Sequence, residues 1–355
     1  MRAAFICWRP YQLFNAVNMV YNNLEDLKDT SDIYISNLSS LVKCKKNLEN
    51  LKIFNRVIVF DEGRNRGRIE YITDLINCKK SIVKDIEQEK NVELTYDCII
   101  ASGYHSFFVR MANFNRNASC IFMEDGMKSY IETENEKYKR SLLHKGLKTV
   151  FKKGIQTVKI EKEYLYHPEY VKERKDRQLC QMPALTSDVI QMINLVFGEA
   201  EEGQIKKIIY LTQPLENLMS KQRKGSYEEK DIQKILERYK DLVTVRIHPR
   251  YKEYRTLLNI DESEQMWELR AGNLCSDNIL ISIFSTASFT PFFLMNRAPI
   301  LILLYKIAMK EESIYKEAEL FISKITHIYP NIIYVPDSLE EMDIILSDLK
   351  RKHYE

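Results

Sequence analysis

The stretch "AAFICWRPYQLFNAVNMVYNNL", residues 3–24, carries two different readings in succession. Residues 3–8 are a short apolar run, the mark of a strand buried on both faces. Residues 11–24 are longer and amphipathic, as a helix covering such a strand must be. Outward from this unit the alternation repeats. Strands are expected at 32–36, 56–60, 97–101 and 119–123. After a basic middle section they resume at 206–212, 242–247, 278–284, 299–305 and 331–335, with helices near 227–240, 310–325 and 338–352. Strands alternating with helices imply α/β architecture with parallel sheets covered on both faces. The rhythm occurs twice, so the sequence predicts two Rossmann-like domains with a cleft between them. Their expected bounds are 1–155 and 201–355, with a connector over 156–200. No internal repeat or low-complexity tract interrupts them.

The bulk properties narrow the class. The chain has 355 residues, 45% apolar and 29% charged, enough for two soluble domains with substantial cores. A net charge of +3 gives no general attraction to polyanions, so any anion site must be local and no nucleic-acid partner is expected. The seven cysteines are scattered without a CxxC pair, which suits reduced thiols in a cytoplasmic protein, neither a disulfide framework nor a zinc site. "MRAAFICWRPYQ" has too short an apolar run for a signal peptide, and no stretch reaches the ~20 apolar residues of a membrane span. Between 137 and 159, Lys137, Lys139, Arg140, Lys145, Lys148, Lys152, Lys153 and Lys159 are interleaved with Leu143, Leu147, Val150, Phe151 and Val158. Two readings stay open for this segment: a basic face lying on the inner membrane surface, or a solvated helix packed on its domain.

In open α/β sheets ligands bind beyond the carboxyl ends of the strands. The residues following the expected strands are Arg9-Pro10-Tyr11-Gln12, Glu124-Asp125-Gly126, Thr212-Gln213-Pro214, His248-Pro249-Arg250 and Ser285-Thr286-Ala287-Ser288. Each admits a plain explanation. "EDG" is a turn dipeptide context, "HPR" is a strand exit, and "FSTAS" is a helix N-cap. Two acids ending an apolar strand need an offset to their repulsion and desolvation, and a carboxylate meant to take a proton supplies a reason for them. A helix start flanked by hydroxyls is also an anion site. There is no GxGxxG, no P-loop and no Asp-x-Asp pair. A phosphate-bearing ligand would therefore be neutralised by His248, by Arg246 or Arg250, by hydroxyls and by a helix end, with no metal.

Taken together, "PYQL", "EDG", "RIHPR" and "FSTAS" resemble the bacterial sialyltransferases, and most of all glycosyltransferase family 52, the lipooligosaccharide sialyltransferase type. The resemblance spans residues 9–288. It implies a GT-B fold and an inverting, metal-independent transfer of sialic acid from CMP-sialic acid to a terminal galactoside of a bacterial lipooligosaccharide or capsule. It implies Asp125 as general base and His248, followed by Pro249, at the leaving CMP phosphate. Ser285 and Thr286 would bind that phosphate, with Ser288 as the shifted alternative. Glu268 in "QMWELRAG" would hold the ribose, and Arg246, Thr212 and Gln213 complete the donor side. Glu124, Gly126, Tyr11 and Gln12 fall on the acceptor side, with "GYHSFF" (103–108). A homodimer is expected from relatives of this kind. Two other readings remain: transfer from another nucleotide sugar, and a non-catalytic nucleotide-sugar-binding protein at the inner membrane face.

Overall fold

The computed structural model describes residues 1–27, 29–62, 68–86, 92–131, 158–171, 174–198, 205–214, 229–249, 251, 253–308 and 312–354. They divide into two compact units, Met1–Glu199 and Ala200–Glu355. Residues 137–157 of the basic stretch and Arg250 lie outside the described residues.

The first unit is built on seven strands: β1 (Ala3–Cys7), β2 (Ser31–Ser36), β3 (Arg56–Phe60), β4 (Cys98–Ala101), β5 (Ser119–Met123), β6 (Lys162–Leu165) and β7 (Gln178–Gln181). Their spatial order is β3-β2-β1-β4-β5-β6-β7. Every neighbouring pair is parallel; Ala3, for example, faces Ser31 on one side and Cys98 on the other. Apolar runs such as "AAFIC" and "CIIA" are buried on both faces, as a sheet sandwiched between helix layers requires. With all strands running one way, their carboxyl ends share a single edge. The strand order reverses between β1 and β4, which makes their ends the switch point where α/β sheets bind ligands.

The second unit repeats the plan with β8 (Ile208–Leu211), β9 (Val243–Arg246), β10 (Asn259–Ile260), β11 (Ile279–Ser282), β12 (Ile300–Leu303) and β13 (Ile333–Tyr334). The order is β10-β9-β8-β11-β12-β13, again parallel throughout. Its switch point lies between β8 and β11. Helices Glu229–Glu237, Thr286–Met295, Glu312–Ile328 and Leu339–His353 fall where the alternation places them. Two Rossmann-like α/β units, each with a parallel sheet, are the building blocks of a GT-B enzyme.

One boundary changes. The stretch 156–200, expected as a connector, belongs to the first unit, and the division falls at Glu199. It supplies β6, β7 and the helix Ser187–Phe197, whose Thr186 hydroxyl caps Val189 N at 3.3 Å. That helix buries Val189, Ile193 and Val196 and packs on the helices Pro10–Tyr21 and Lys45–Leu51. The strands escaped detection because "KEYL" and "QLCQ" lack a β-branched run. Glu163 sits buried in β6 only because Arg174 and Arg177 both pair with it. Among the described residues no helix is long and apolar enough to cross a membrane.

Candidate active site

At the first sheet's switch point, β1 gives way to Trp8 and Arg9, and Pro10 opens the helix Pro10–Tyr21. Proline lacks an N–H, which costs nothing at a first helical position. Gln12, fully buried, turns its side-chain oxygen back to accept from Trp8 N (2.8 Å) and Arg9 N (3.2 Å). Those two donors fix the amide's orientation, so its nitrogen must point the other way. It donates to Asp125 Oδ1 at 2.9 Å.

The acidic pair follows β5, and its two members are treated differently. Glu124 is fully buried. Its Oε1 accepts from Tyr11 Oη at 2.7 Å, and its Oε2 accepts from Tyr130 Oη at 2.5 Å and Tyr166 N at 2.8 Å. Its backbone oxygen accepts from Asn15 Nδ2 at 3.0 Å. Burial pushes the Glu124 carboxyl up to about 7, against the pull of these donors. Asp125 is only part-buried, and its backbone N donates to Ser129 Oγ at 2.7 Å. Burial raises its carboxyl above the ordinary range, opposed by the Gln12 hydrogen bond and the charges of Lys128 and Arg9. Gly126 follows at φ 68°, ψ −145°, a conformation reserved for glycine. The turn after it is held by Arg174, which donates to Ser129 O at 2.6 Å while paired with Glu163.

In the second unit the switch point carries a different set. His248 N donates to Thr212 Oγ1 at 2.8 Å, and Tyr251 N donates to His248 O at 2.9 Å, closing the turn through Pro249. Across the switch, Gln213 bridges β8 to β11 with both ends of its amide. Nε2 donates to Phe284 O at 3.0 Å, and Oε1 accepts from Phe284 N at 2.8 Å. Ser285 then caps the helix Thr286–Met295, its hydroxyl accepting from Ala287 N at 3.3 Å. Ser285, Thr286 and Ala287 are half-exposed at that start. The short helix Trp267–Arg270 is tied to it, because Trp267 Nε1 donates to Ala287 O at 2.6 Å. Glu268 rides on this helix. Burial raises its carboxyl, and the charge of Arg246 opposes the rise.

Residues 5–281 match the family model described as alpha-2,8-polysialyltransferase (POLYST). The chain belongs to that family. The match includes Asp125 and His248 and stops before Ser285. Membership makes the chain a sialyltransferase-type glycosyltransferase, a class that works on a nucleotide-sugar donor and a glycan acceptor; the narrower family 52, lipooligosaccharide type, is not what the match names. Among curated proteins none matches the sequence. Similar solved structures include an alpha/beta-galactoside alpha-2,3-sialyltransferase from the luminous marine bacterium Photobacterium phosphoreum, at 11% identity and TM-score 0.49, over 94% of this chain and 97% of that one. The calicheamicin glycosyltransferase CalG4 gives 10% identity and TM-score 0.48, over 100% of this chain and 90% of that one. The UDP-GlcNAc 2-epimerase of Neisseria meningitidis bound to UDP-GlcNAc gives 11% and 0.45, over 99% and 100%.

Within this polysialyltransferase-family chain five expected ligand contacts are corrected. Arg246 does not stand ready for a phosphate. Its guanidinium is committed to Asp261 (2.9 Å), Ser263 O (2.6 Å) and Gln265 O (2.5 Å). Ser288 is 1% exposed and shares a 2.5 Å hydrogen bond with Ser282, so Ser285 and Thr286 are the hydroxyls at the helix start. Glu124 and Gln12 are buried with their polar atoms spent, Glu124 on Tyr11, Tyr130 and Tyr166 and Gln12 on Asp125, so neither can meet an acceptor. Tyr11 is half-exposed, but its hydroxyl is given to Glu124. Ser129, Arg174 and Glu163 went unread in the sequence. Ser129 alone left a trace there, a hydroxyl one helical turn beyond Asp125.

Proposed function

We propose that the protein moves sialic acid from CMP-sialic acid to a hydroxyl of an acceptor glycan by a single, inverting, metal-independent displacement. Asp125 carries the reading. It is a carboxylate at the end of β5, part-exposed, held on one oxygen by Gln12, and shifted by burial toward stronger basicity. The acceptor oxygen attacks the anomeric carbon while its proton passes to Asp125. The bond from that carbon to the CMP phosphate breaks, and the electron pair leaves on the phosphate oxygen. His248, the Ser285 and Thr286 hydroxyls and the N-terminal turn of the helix Thr286–Met295 are the groups assigned to that charge. Fixed donors of this kind can do the work of a metal clamp on a nucleoside monophosphate leaving group. The oxocarbenium-like passage is that of glycoside chemistry, and one displacement inverts the centre. Glu268 is assigned to the ribose.

The acceptor expected from the sequence motifs is a terminal galactoside of a bacterial surface glycan. The family's name favours a second class, a sialoside extended through an α2,8 bond. The test supplies CMP-sialic acid and a set of UDP-sugars in turn, first without acceptor and then with a galactoside or a sialoside. CMP release from CMP-sialic acid alone is expected, accelerated by one acceptor class. Release from a UDP-sugar, with none from CMP-sialic acid, overturns the donor assignment. A protein that binds nucleotide sugar and releases nothing supports the non-catalytic reading.

A further inference from the structure

The chain has two tryptophans, and they are used in opposite ways. Trp267 is 7% exposed, and its indole N–H is spent on Ala287 O. Trp8 is half-exposed, and among the described residues its indole N–H makes no hydrogen bond. A buried indole N–H usually finds a partner, whereas this one reaches solvent at the carboxyl end of β1, on the switch-point edge.

Everything else about Trp8 is fixed. Its backbone N is held by Gln12, and its carbonyl accepts from the Arg9 guanidinium, which in turn is anchored on Glu62 at 2.8 Å. One ring face is backed by His105, with centroids 4.7 Å apart and planes 20° from parallel. His105 is itself tethered, its Nδ1 accepting from Phe107 N at 3.3 Å at the start of the helix Ser106–Phe114. The indole is therefore a preset plate that loses little freedom when a ligand meets it. A single side chain, Gln12, ties the backbone of Trp8 to the carboxylate of Asp125.

We propose that Trp8 is the specificity-determining platform of the acceptor site: a pyranose, the one bearing the attacking hydroxyl, lays its C–H face on the indole and accepts a hydrogen bond from Nε1–H. The inference rests on the sialyltransferase reading and deepens it. A nucleobase could also stack on an indole, but the groups suited to the nucleotide, His248, Ser285 and a helix start, belong to the other unit. On this edge Tyr11 and Gln12 have already spent their polar atoms on the acids, so the acceptor-facing role passes to Trp8.

The experiment compares wild type with Trp8→Ala and Trp8→Phe. Trp8→Ala is expected to raise the acceptor KM by about tenfold, the worth of one aromatic contact. Trp8→Phe keeps the plate without the N–H and recovers most of the loss. Donor KM and acceptor-free CMP release stay at wild-type levels in both, and the thermal midpoint of Trp8→Phe stays unchanged. A loss that falls on donor KM, or an unchanged acceptor KM in both variants, overturns the proposal. Intrinsic fluorescence reads the site without any turnover. A galactoside or sialoside should give a saturable change in wild type that vanishes in Trp8→Phe, and no change with either sugar overturns the platform. If that change appears while CMP-sialic acid is never cleaved, the donor assignment fails and the sugar platform stands.

Discussion

At the carboxyl edge of the first sheet, tyrosine hydroxyls and side-chain amides are spent on two adjacent acids. At the same edge of the second sheet the chain places an imidazole, two hydroxyls and a helix start. Both edges sit at a point where strand order reverses, and both lean on a glutamine that bonds in two directions, Gln12 in one and Gln213 in the other. The scaffold is alike and the chemistry is opposite. One edge holds carboxyls raised in basicity by burial, the other gathers an imidazole, hydroxyls and a helix start. On the proposed mechanism, proton removal and leaving-group stabilisation fall to separate units, each pre-set by its own hydrogen bonds.

Variants of the first edge should cost the most. Asp125→Asn is expected to cut transfer by about a thousandfold, the usual worth of a general base, while CMP affinity by calorimetry stays within about twofold. His248→Ala should cost about a hundredfold and, unlike the Asp125 change, weaken CMP binding as well. Near-normal transfer in both would dissolve the division of labour. Next comes Ser285→Ala, which removes a helix cap worth about 1 kcal/mol and should raise the CMP-sialic acid KM several-fold. Ser288→Ala should leave that KM unchanged, because its hydroxyl faces Ser282. The pH profile sharpens the contrast further. Asp125 must be ionised to act, so the rate rises with pH through its carboxyl, and burial sets that acid limb above the ordinary Asp value of about 3.9. Asp125→Asn should erase the limb.

The smallest effect on rate is expected from Glu124→Gln, which reads out in stability. The Glu124 carboxyl lies at about 7 when folded, against about 4.3 unfolded. Between those values the folded state holds the proton and the unfolded state does not, so this group's contribution to stability falls as pH rises through the window. Glu124→Gln should flatten that fall in denaturant titrations run from about pH 4 to about pH 8. A slope equal to that of wild type would mean the buried carboxyl does not titrate there.

The sequence announced ten strands by their apolar runs, and all ten form. It missed β6, β7 and β10. "KEYL" carries a lysine that pairs with the distant Glu25 and a glutamate whose burial makes sense only once Arg174 and Arg177 arrive, and β10 is two residues long. Asp125, His248 and Ser285 could be singled out because a strand end followed by a polar group is a local pattern. Arg246 misled because its partner, Asp261, lies 15 residues on, just after the neighbouring parallel strand β10, where no local pattern links the two. Ser288 misled because a hydroxyl at a helix start and one facing the sheet look the same in letters. Trp8 was read as the tail of a strand, since an unpaired indole N–H is a property of three dimensions.

Gly126 sets a rule for anyone who would retrain this enzyme on new sugars. At φ 68° and ψ −145° its backbone goes where a side chain clashes with its own peptide group. An alanine there would have to rotate the chain just past Asp125, the proposed general base, shifting its carboxylate and the hydrogen bond from its backbone N to Ser129 Oγ together. Mutant libraries should therefore leave this position alone and spend their diversity on Lys128, whose exposed side chain stands beside the acid without holding it in place.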